Sequence, residues 1–119
     1  MMEFSDNKPI YKQIVDYAFN CMIDGSWQPG EKIPSVRELA AVLGVNSRTV
    51  LKAMEDLQDA QVIEPRRGMG FILASGASLK VMEIRRREFF DVTLPSIIKE
   101  MERLNITPEE LLGHLHPSE

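Results

Sequence analysis

The 119-residue sequence predicts a mainly α-helical fold with one small β-hairpin, and three observations carry that prediction. Apolar residues recur at helical spacing in several segments, and residues suited to helix caps begin and end those segments. Two short apolar segments flank a glycine-rich tip, which is the pattern of a β-hairpin. The last third of the chain returns to helical spacing. We therefore expect a folded head over residues 1–75 and a short helical tail over residues 76–119.

Composition and charge limit the classes of protein to which the chain can belong. With 44% hydrophobic and 27% charged residues, it has the composition of a globular protein. No apolar run is long enough to span a membrane, and the N-terminus, "MMEFSDNKP", lacks the features of a signal peptide, so we expect a cytoplasmic protein. The net charge of −4 does not favour nucleic acid as a partner. Any case for DNA must therefore rest on the local arrangement of side chains.

The first helix is predicted over residues 9–24. Pro9 suits its first position, and Gly25 is placed to end it. Cys21 lies in helical phase with apolar residues of this segment and has no second cysteine to pair with, so we expect a buried structural thiol rather than a reactive one. A Pro- and Gly-rich loop, "SWQPGEKIPS", follows and contains a short extended piece at Lys32–Ile33.

Two more helices are predicted on either side of a sharp turn. Ser35 and Glu38 form an S-x-x-E capping box at the start of the second helix, Gly44 ends it, and Asn46 is placed to cap the third helix. This pattern describes a helix-turn-helix, but a plain αα-hairpin in a helical core fits it equally well. The buried stripes of the two helices are predicted to be Val36, Leu39, Ala40 and Leu43, then Val50, Met54 and Leu57.

A β-hairpin is predicted after the third helix. The stretch "VIEPRRGMGFILA" contains two short apolar segments, Val62–Glu64 and Phe71–Ala74, around a tip that carries Arg66 and Arg67. Three helices followed by a hairpin with a cationic tip form the winged helix-turn-helix arrangement, which favours the helix-turn-helix over the αα-hairpin. The tip arginines are predicted to contact the minor groove or phosphates of DNA, and ordinary turn residues are the alternative.

The start of the third helix is rich in polar and cationic side chains for a small acidic protein. The first turn of a recognition helix enters the major groove, where hydroxyl groups and guanidinium groups reach phosphates and base edges. Solvated helix charges are the alternative for Arg48 and Lys52. The acidic residues of this helix come late, where they would point away from a duplex. The residues predicted to contact DNA here are Asn46, Ser47, Arg48, Thr49 and Lys52.

Four separate motifs resemble those of the GntR family of bacterial transcription regulators. They are "PIYKQI" at 9–14, "G-x-W-x-PGEKIPSVRELA" at 25–40, "LGVNSRTVLKAMEDL" at 43–57 and "RGMGFIL" at 67–73. The short tail most resembles that of the YtrA-like branch. The resemblance implies a homodimeric regulator or repressor that reads a palindromic operator in double-stranded DNA. It also implies control of a transporter operon.

The resemblance further implies DNA contacts outside the third helix. The matching positions are Arg37, Ser47, Arg48, Thr49, Lys52, Arg67 and Gly68. A surface ion pair with Glu38 or Asp56 is the alternative for Arg37. This sequence departs from the family at Gln61, where glycine is common between the recognition helix and the wing. We expect either a left-handed residue there or a different last helical turn, with an effect on the wing's approach to DNA.

The tail is predicted to be helical over residues 77–104. Pro95 removes one helix hydrogen bond and should kink or split this segment near Thr93. A further short helix is predicted to run to Leu115. Its N-cap, its first residue and the partner that completes its capping box are predicted to be Thr107, Pro108 and Glu110.

The tail carries an apolar stripe that is too large for one copy of so short a segment to bury. We therefore expect a homodimer formed through this stripe, with packing onto the head of the same chain as the alternative. The predicted dimerisation residues are Phe90, Leu94, Ile97, Ile98, Met101 and Leu104.

The sequence contains no recognisable catalytic constellation, so we expect neither an enzyme nor a cofactor. Glu110, His114 and His116 are the nearest approach to a metal site, but metal sites usually need three or four converging ligands, and we expect no metal. The sequence leaves open whether a small-molecule effector binds between the tail helices, and it identifies no polar side chain that would anchor one. Two functions compete. The local cations favour a DNA-binding regulator, and the net charge favours a winged-helix protein-interaction module without DNA binding.

Overall fold

The computed structural model describes residues 3–116 and confirms the predicted fold class, mainly α-helical with one β-hairpin. These residues form two compact units, of which the first ends at Met82 and the second begins at Glu83. The elements in chain order are α1 (Ile10–Asp24), α2 (Val36–Leu43), α3 (Ser47–Asp59), β1 (Ile63–Arg66), β2 (Gly70–Leu73), α4 (Ala77–Glu88), a π-helical turn (Phe89–Thr93), α5 (Leu94–Leu104) and α6 (Pro108–Leu115).

Caps delimit the first two helices much as the sequence predicts. Pro9 is the N-cap of α1 rather than its first residue, and Gly25 ends that helix in the left-handed conformation at φ +86°. The capping box of α2 is complete: Ser35 Oγ accepts the N–H of Glu38 at 3.1 Å, and the Glu38 carboxylate accepts the N–H of Ser35 at 3.0 Å. Gly44 then reverses the chain at φ +72°, where glycine has no Cβ to obstruct the turn.

The predicted β-hairpin, which is the wing of the winged helix-turn-helix, is confirmed, but its strands lie nearer the tip than predicted. The register runs from Ile63 opposite Leu73 to Arg66 opposite Gly70, so pairing includes Pro65, which the sequence prediction left outside the strand. Proline is tolerated because β1 is an edge strand with no strand of the described residues on its other side. The predicted extended piece lies against the opposite edge of the sheet: Lys32 forms a β-bridge with Ile72, and Ile33 N–H donates to Phe71 O at 3.0 Å.

The core of the first unit surrounds α3, because both α1 and α2 pack against it. Its side chains include the predicted stripe of α3, which is buried almost completely. Removing this apolar surface from water is the main stabilising contribution in a unit of this size. The largest fully buried side chains are Ile14, Met54, Leu57, Ile63, Leu73, Val50, Val62 and Val81.

The tail segment is divided where the sequence predicts a fault. A π-helical turn at Phe89–Thr93 separates α4 from α5, and Pro95 lies in the first turn of α5. Leu94 N–H donates to Phe89 O, which is a bond to the fifth residue back. One wide turn of this kind shifts the hydrogen-bonding register directly before a proline, which cannot donate a bond of its own.

The last helix also begins as predicted, with one difference. Thr107 Oγ1 accepts the N–H of Glu110 at 3.1 Å, and Pro108 is the first residue of α6. The reciprocal bond, in which the Glu110 carboxylate would accept the N–H of Thr107, is not among the hydrogen bonds of the described residues, so this is a simple N-cap rather than a full capping box. No residue from 83 to 116 is buried in the single chain.

Replacing Ser35 by alanine is expected to lower the free energy of unfolding by about 1 kcal/mol, because the N–H of Glu38 loses its acceptor at an exposed helix start. Urea unfolding followed by circular dichroism measures the change. Ser78→Ala is the matched control, since Ser78 is exposed within the first turn of α4 rather than at a cap position. A Ser35→Ala protein as stable as the Ser78→Ala protein would contradict the role of this cap.

Candidate nucleic-acid interface

The start of α3 is held in place by its N-cap and leaves its cations exposed. Asn46 Oδ1 accepts the N–H of Arg48 at 2.8 Å, and the backbone O of Asn46 accepts the N–H of Thr49 at 3.0 Å. Ser47 and Arg48 are exposed, and Thr49 is half-buried. The partial positive charge of a helix N-terminus adds to that of Arg48, so this end of α3 favours an anionic partner.

The opposite face of α3 fixes the helix to the core. Val50, Ala53, Met54 and Leu57 are all at most 1% exposed. At helical spacing, the face that points directly away from them carries Arg48 and Lys52, then Glu55 and Asp59. The cations therefore occupy the first half of the outward face and the carboxylates the second half, as the sequence predicts.

Arg37, at the exposed start of α2, makes no ion pair with Glu38 or Asp56. Within residues 3–116, no carboxylate lies within ion-pair distance of Arg37, Arg48 or Arg67. Glu38 instead accepts the backbone N–H of Ser35, and this bond holds the pKa of its carboxyl below the ordinary value. The side chain of Arg37 is thus available to a partner.

Lys52 has a partner that the sequence analysis missed. Its Nζ lies 4.5 Å from the ring centroid of Tyr11, over the ring face, in a cation–π contact between α3 and α1. The two residues are 41 positions apart in the sequence, so no local spacing predicts the contact. Lys52 remains exposed, and its ammonium group is oriented by Tyr11 rather than free in solvent.

The tip of the wing presents Arg67 on a tight turn. Met69 N–H donates to Arg66 O at 2.9 Å, and Gly68 adopts φ +80° within the turn. Arg66 differs from Arg67 because its guanidinium lies 3.6 Å from the Glu64 carboxylate on the same strand. Both side chains of that pair are more than half exposed, so the interaction contributes little stability, but it reduces the charge that Arg66 offers.

The candidate metal site that the sequence suggested is not formed in the described part of the chain. Residues 3–116 contain no group of three or more His, Cys, Asp or Glu side chains arranged to hold a metal ion, and Glu110, His114 and His116 are therefore not brought together. Cys21 is buried as predicted, and burial raises the pKa of its thiol, against which a hydrogen bond with Tyr17 acts. None of the described helices has the length and apolar character needed to cross a membrane.

The predicted dimerisation stripe is exposed in the single chain. Phe90 is 54% exposed, Ile98 45% and Leu104 60%, with Ile97 just above one third. Leu94 and Met101 are half-buried. Phe89 and Phe90 meet edge to face at 5.3 Å between ring centroids. The second unit therefore keeps a contiguous apolar surface on α5 and on the π-helical turn before it.

Comparison with known proteins places this geometry among bacterial regulators. The model of the family "Bacterial regulatory proteins, gntR family" matches residues 10–73, which is more than half of the chain. The uncharacterized HTH-type transcriptional regulator YhcF of Bacillus subtilis is 36% identical over 110 residues, covering 92% of this chain and 89% of YhcF. The HTH-type transcriptional repressor YtrA of Bacillus subtilis is 39% identical over 75 residues, covering 63% of this chain and 58% of YtrA.

Solved structures are similar over the whole chain or over the head. A GntR family transcriptional regulator from Listeria monocytogenes has a TM-score of 0.76 and 34% identity, covering 98% of this chain and all of that one. The AraR DBD in complex with operator ORE1 has a TM-score of 0.55 and 27% identity, covering 62% of this chain and 90% of that one. The second of these is a complex with operator DNA.

Proposed function

The chain belongs to the GntR family of bacterial regulatory proteins, and we propose that it represses transcription by binding a palindromic operator as a homodimer. DNA-binding transcription regulation is the activity of the family. The palindrome, the dimer and repression are the proposal. One observation supports the proposed contact with DNA: arginines on α2, on the first turn of α3 and at the wing tip are exposed and unpaired within residues 3–116.

We assign different roles to the residues of this surface. Arg48, at the start of α3, is proposed to reach base edges in the major groove. Arg37 and Lys52 are proposed to bind phosphates, which position the protein without reading sequence. Arg67 is proposed to contact the minor groove or its phosphates, with Gly68 allowing the turn to approach closely. Asn46, Ser47, Thr49 and Arg66 complete the proposed interface.

A dimer follows from the geometry of DNA. Two recognition helices that bind the same side of a duplex lie about one helical turn, roughly 34 Å, apart, so something must hold two heads together. The apolar stripe of α5 is proposed to do this by packing against its own copy around a two-fold axis. We accordingly propose that the first unit, which contains the predicted head over residues 1–75 and ends at Met82, binds DNA, and that the rest of the predicted tail over residues 76–119 provides dimerisation.

The physiological setting is proposed by likeness to relatives. The relative YtrA of Bacillus subtilis is named a transcriptional repressor, and this supports the proposal of repression. The YtrA-like resemblance implies a transporter operon as the regulated unit. We propose the cytoplasm as the place of action, as expected from the sequence.

Binding to the promoter DNA of the protein's own operon is expected to weaken steeply with salt despite the acidic net charge. If a dimer contacts six to ten phosphates, affinity falls by roughly 10³- to 10⁵-fold between about 50 and 200 mM salt, because each contact releases condensed counterions. Fluorescence anisotropy across a salt series measures the slope of the logarithm of affinity against the logarithm of salt concentration. Equal affinity at the two salt concentrations would rule out this electrostatic interface.

Single substitutions test which cations contribute to that slope. Arg37→Ala is expected to reduce the magnitude of the slope by about one for each phosphate that the arginine neutralises in the wild-type complex. Arg103→Gln is the matched control, since Arg103 lies on α5 and is paired with Glu100 at 3.3 Å. The control should leave the slope unchanged. An Arg37→Ala protein with the wild-type slope would contradict the proposed phosphate contact.

A further inference from the structure

The junction between the recognition helix and the wing has an unusual residue at its centre. Gln61 N–H donates to Gln58 O at 2.9 Å, and Val62 N–H donates to Leu57 O at 3.2 Å, which together form a Schellman motif at the end of α3. In a Schellman motif the first residue after the helix cap is left-handed. Here that residue is Gln61, with φ +62°. Glycine adopts this conformation readily, whereas any residue with a Cβ is strained there, so neighbouring contacts must hold glutamine in place.

Lys80 supplies such a contact. Its Nζ donates a hydrogen bond to the carbonyl O of Gln61 at 3.1 Å. The bond places an ammonium group at the C-terminal end of α3, where the last carbonyl groups carry partial negative charge. A charge-assisted hydrogen bond of this kind favours the left-handed geometry that presents the Gln61 carbonyl to Lys80.

The helical turn that carries Lys80 is anchored in the core of the first unit. Ala77 and Val81, on either side of it in the first turns of α4, are both 0% exposed. Ala77 N–H donates to Ala74 O at 3.2 Å, which ties the start of α4 to the end of the wing. The ammonium group therefore reaches the junction from a rigid part of the first unit.

Both strands of the wing leave from the same junction. β1 begins at Ile63, two residues after Gln61, and Ala74 N–H, just after β2, donates to Val62 O at 2.9 Å. The backbone conformation at Gln61 therefore sets the direction in which the wing departs from α3. A small rotation there would displace the wing tip, which carries Arg67.

We propose that Lys80 is a positioning residue for DNA binding. It fixes the left-handed turn at Gln61 and thereby the direction of the wing, and it contributes to affinity through Arg67 without touching DNA itself. This inference rests on the proposed contact between the wing and DNA.

A double-mutant cycle in the full-length protein tests the inference. Lys80→Met keeps the apolar stem and removes the donor. It should weaken binding to the protein's own promoter DNA by about three- to tenfold, the equivalent of one hydrogen bond. In the Arg67→Ala background the same change should have a much smaller effect, since the unpaired arginine at the wing tip, which Lys80 is proposed to position, is then absent. An equal loss in both backgrounds would overturn the inference and make Lys80 a direct DNA contact or a general stability residue.

Two control variants test whether the loss comes from the hydrogen bond or from the net charge. Lys80→Arg keeps both a donor and the charge and should bind promoter DNA as the wild type does. Lys99→Met removes one positive charge from an exposed position on α5 and should leave affinity unchanged. If Lys99→Met weakens binding as much as Lys80→Met does, net charge explains the effect and the inference fails.

Amide hydrogen exchange tests the positioning without DNA. In Lys80→Met, the amides of Val62 and Ala74 should exchange about three- to tenfold faster, while the amide of Gly44, between α2 and α3, should be unchanged. Adding Gln61→Gly should restore slow exchange, because glycine needs no support in this conformation. Unchanged exchange at Val62 and Ala74 would overturn the inference. A wild-type protein that binds no promoter DNA would refute the proposed function, while exchange would still decide the role of Lys80.

Discussion

Replacing Ile98 by glutamate is expected to abolish the proposed dimer and leave a monomer. Ile98 lies in the middle of the stripe on α5 and is 45% exposed in the single chain. If the stripe packs against its own copy, the new carboxylates would be buried near the two-fold axis without partners, which costs several kcal/mol. Operator binding should weaken by roughly 100-fold or more, because two half-sites can no longer be occupied by one linked pair of heads.

Sedimentation velocity measures the mass of the Ile98→Glu protein. Ser96→Glu is the matched control, since it introduces the same charge two residues away on the opposite, exposed face of α5. The control should remain dimeric and bind the operator normally. An Ile98→Glu protein that sediments as a dimer would show that the stripe serves another purpose.

Removing the tail is a second test of its role in dimerisation. The structure shows that the chain should be cut after Met82 rather than at Ser75. A cut at Ser75, at the end of the predicted head, would remove Ala77 and Val81, which are fully buried in the first unit. A chain that ends after Met82 keeps both. It should be a folded monomer, and if it remains dimeric the tail is not the dimerisation element.

Local sequence signals predicted the helix ends well because the causes are local. Ser35, Gly44 and Thr107 each act on backbone groups within a few residues, so capping chemistry alone places the boundaries. Of the two alternatives expected at Gln61, the structure has the left-handed residue. The strands of the wing were less well placed, because the register depends on how a three-residue tip closes rather than on apolar pattern.

Contacts between distant residues account for what the sequence did not predict. Tyr11 and Lys52 meet only after α1 packs on α3, and Lys80 reaches Gln61 only after α4 has been anchored by its buried residues. Neither pair has a spacing or a motif that would mark it. Lys52 was predicted to contact DNA, with a solvated helix charge as the alternative, and Lys80 had no predicted role. In both cases the surroundings of the lysine determine what its side chain contacts.

Replacing Arg48 by alanine is expected to weaken operator binding by about 1–3 kcal/mol and to remove the preference for at least one base position. Arg48 is exposed in the first turn of α3, its backbone is fixed by Asn46, and no carboxylate within residues 3–116 pairs with it. A guanidinium in this position can donate two parallel bonds to the edge of a guanine, which no other base pair accepts equally well.

Competition binding with the operator and with scrambled DNA separates the two roles that Arg48 could play. If it reads a base, alanine should lower affinity for the operator much more than for scrambled DNA. Arg48→Lys sharpens the test, since lysine keeps the charge but cannot reproduce the planar two-bond geometry. It should retain binding to scrambled DNA and lose discrimination. Equal reductions in affinity for both DNAs in Arg48→Ala, with full discrimination in Arg48→Lys, would instead make Arg48 a phosphate contact, and sequence reading would then have to come from other residues of the α3 start.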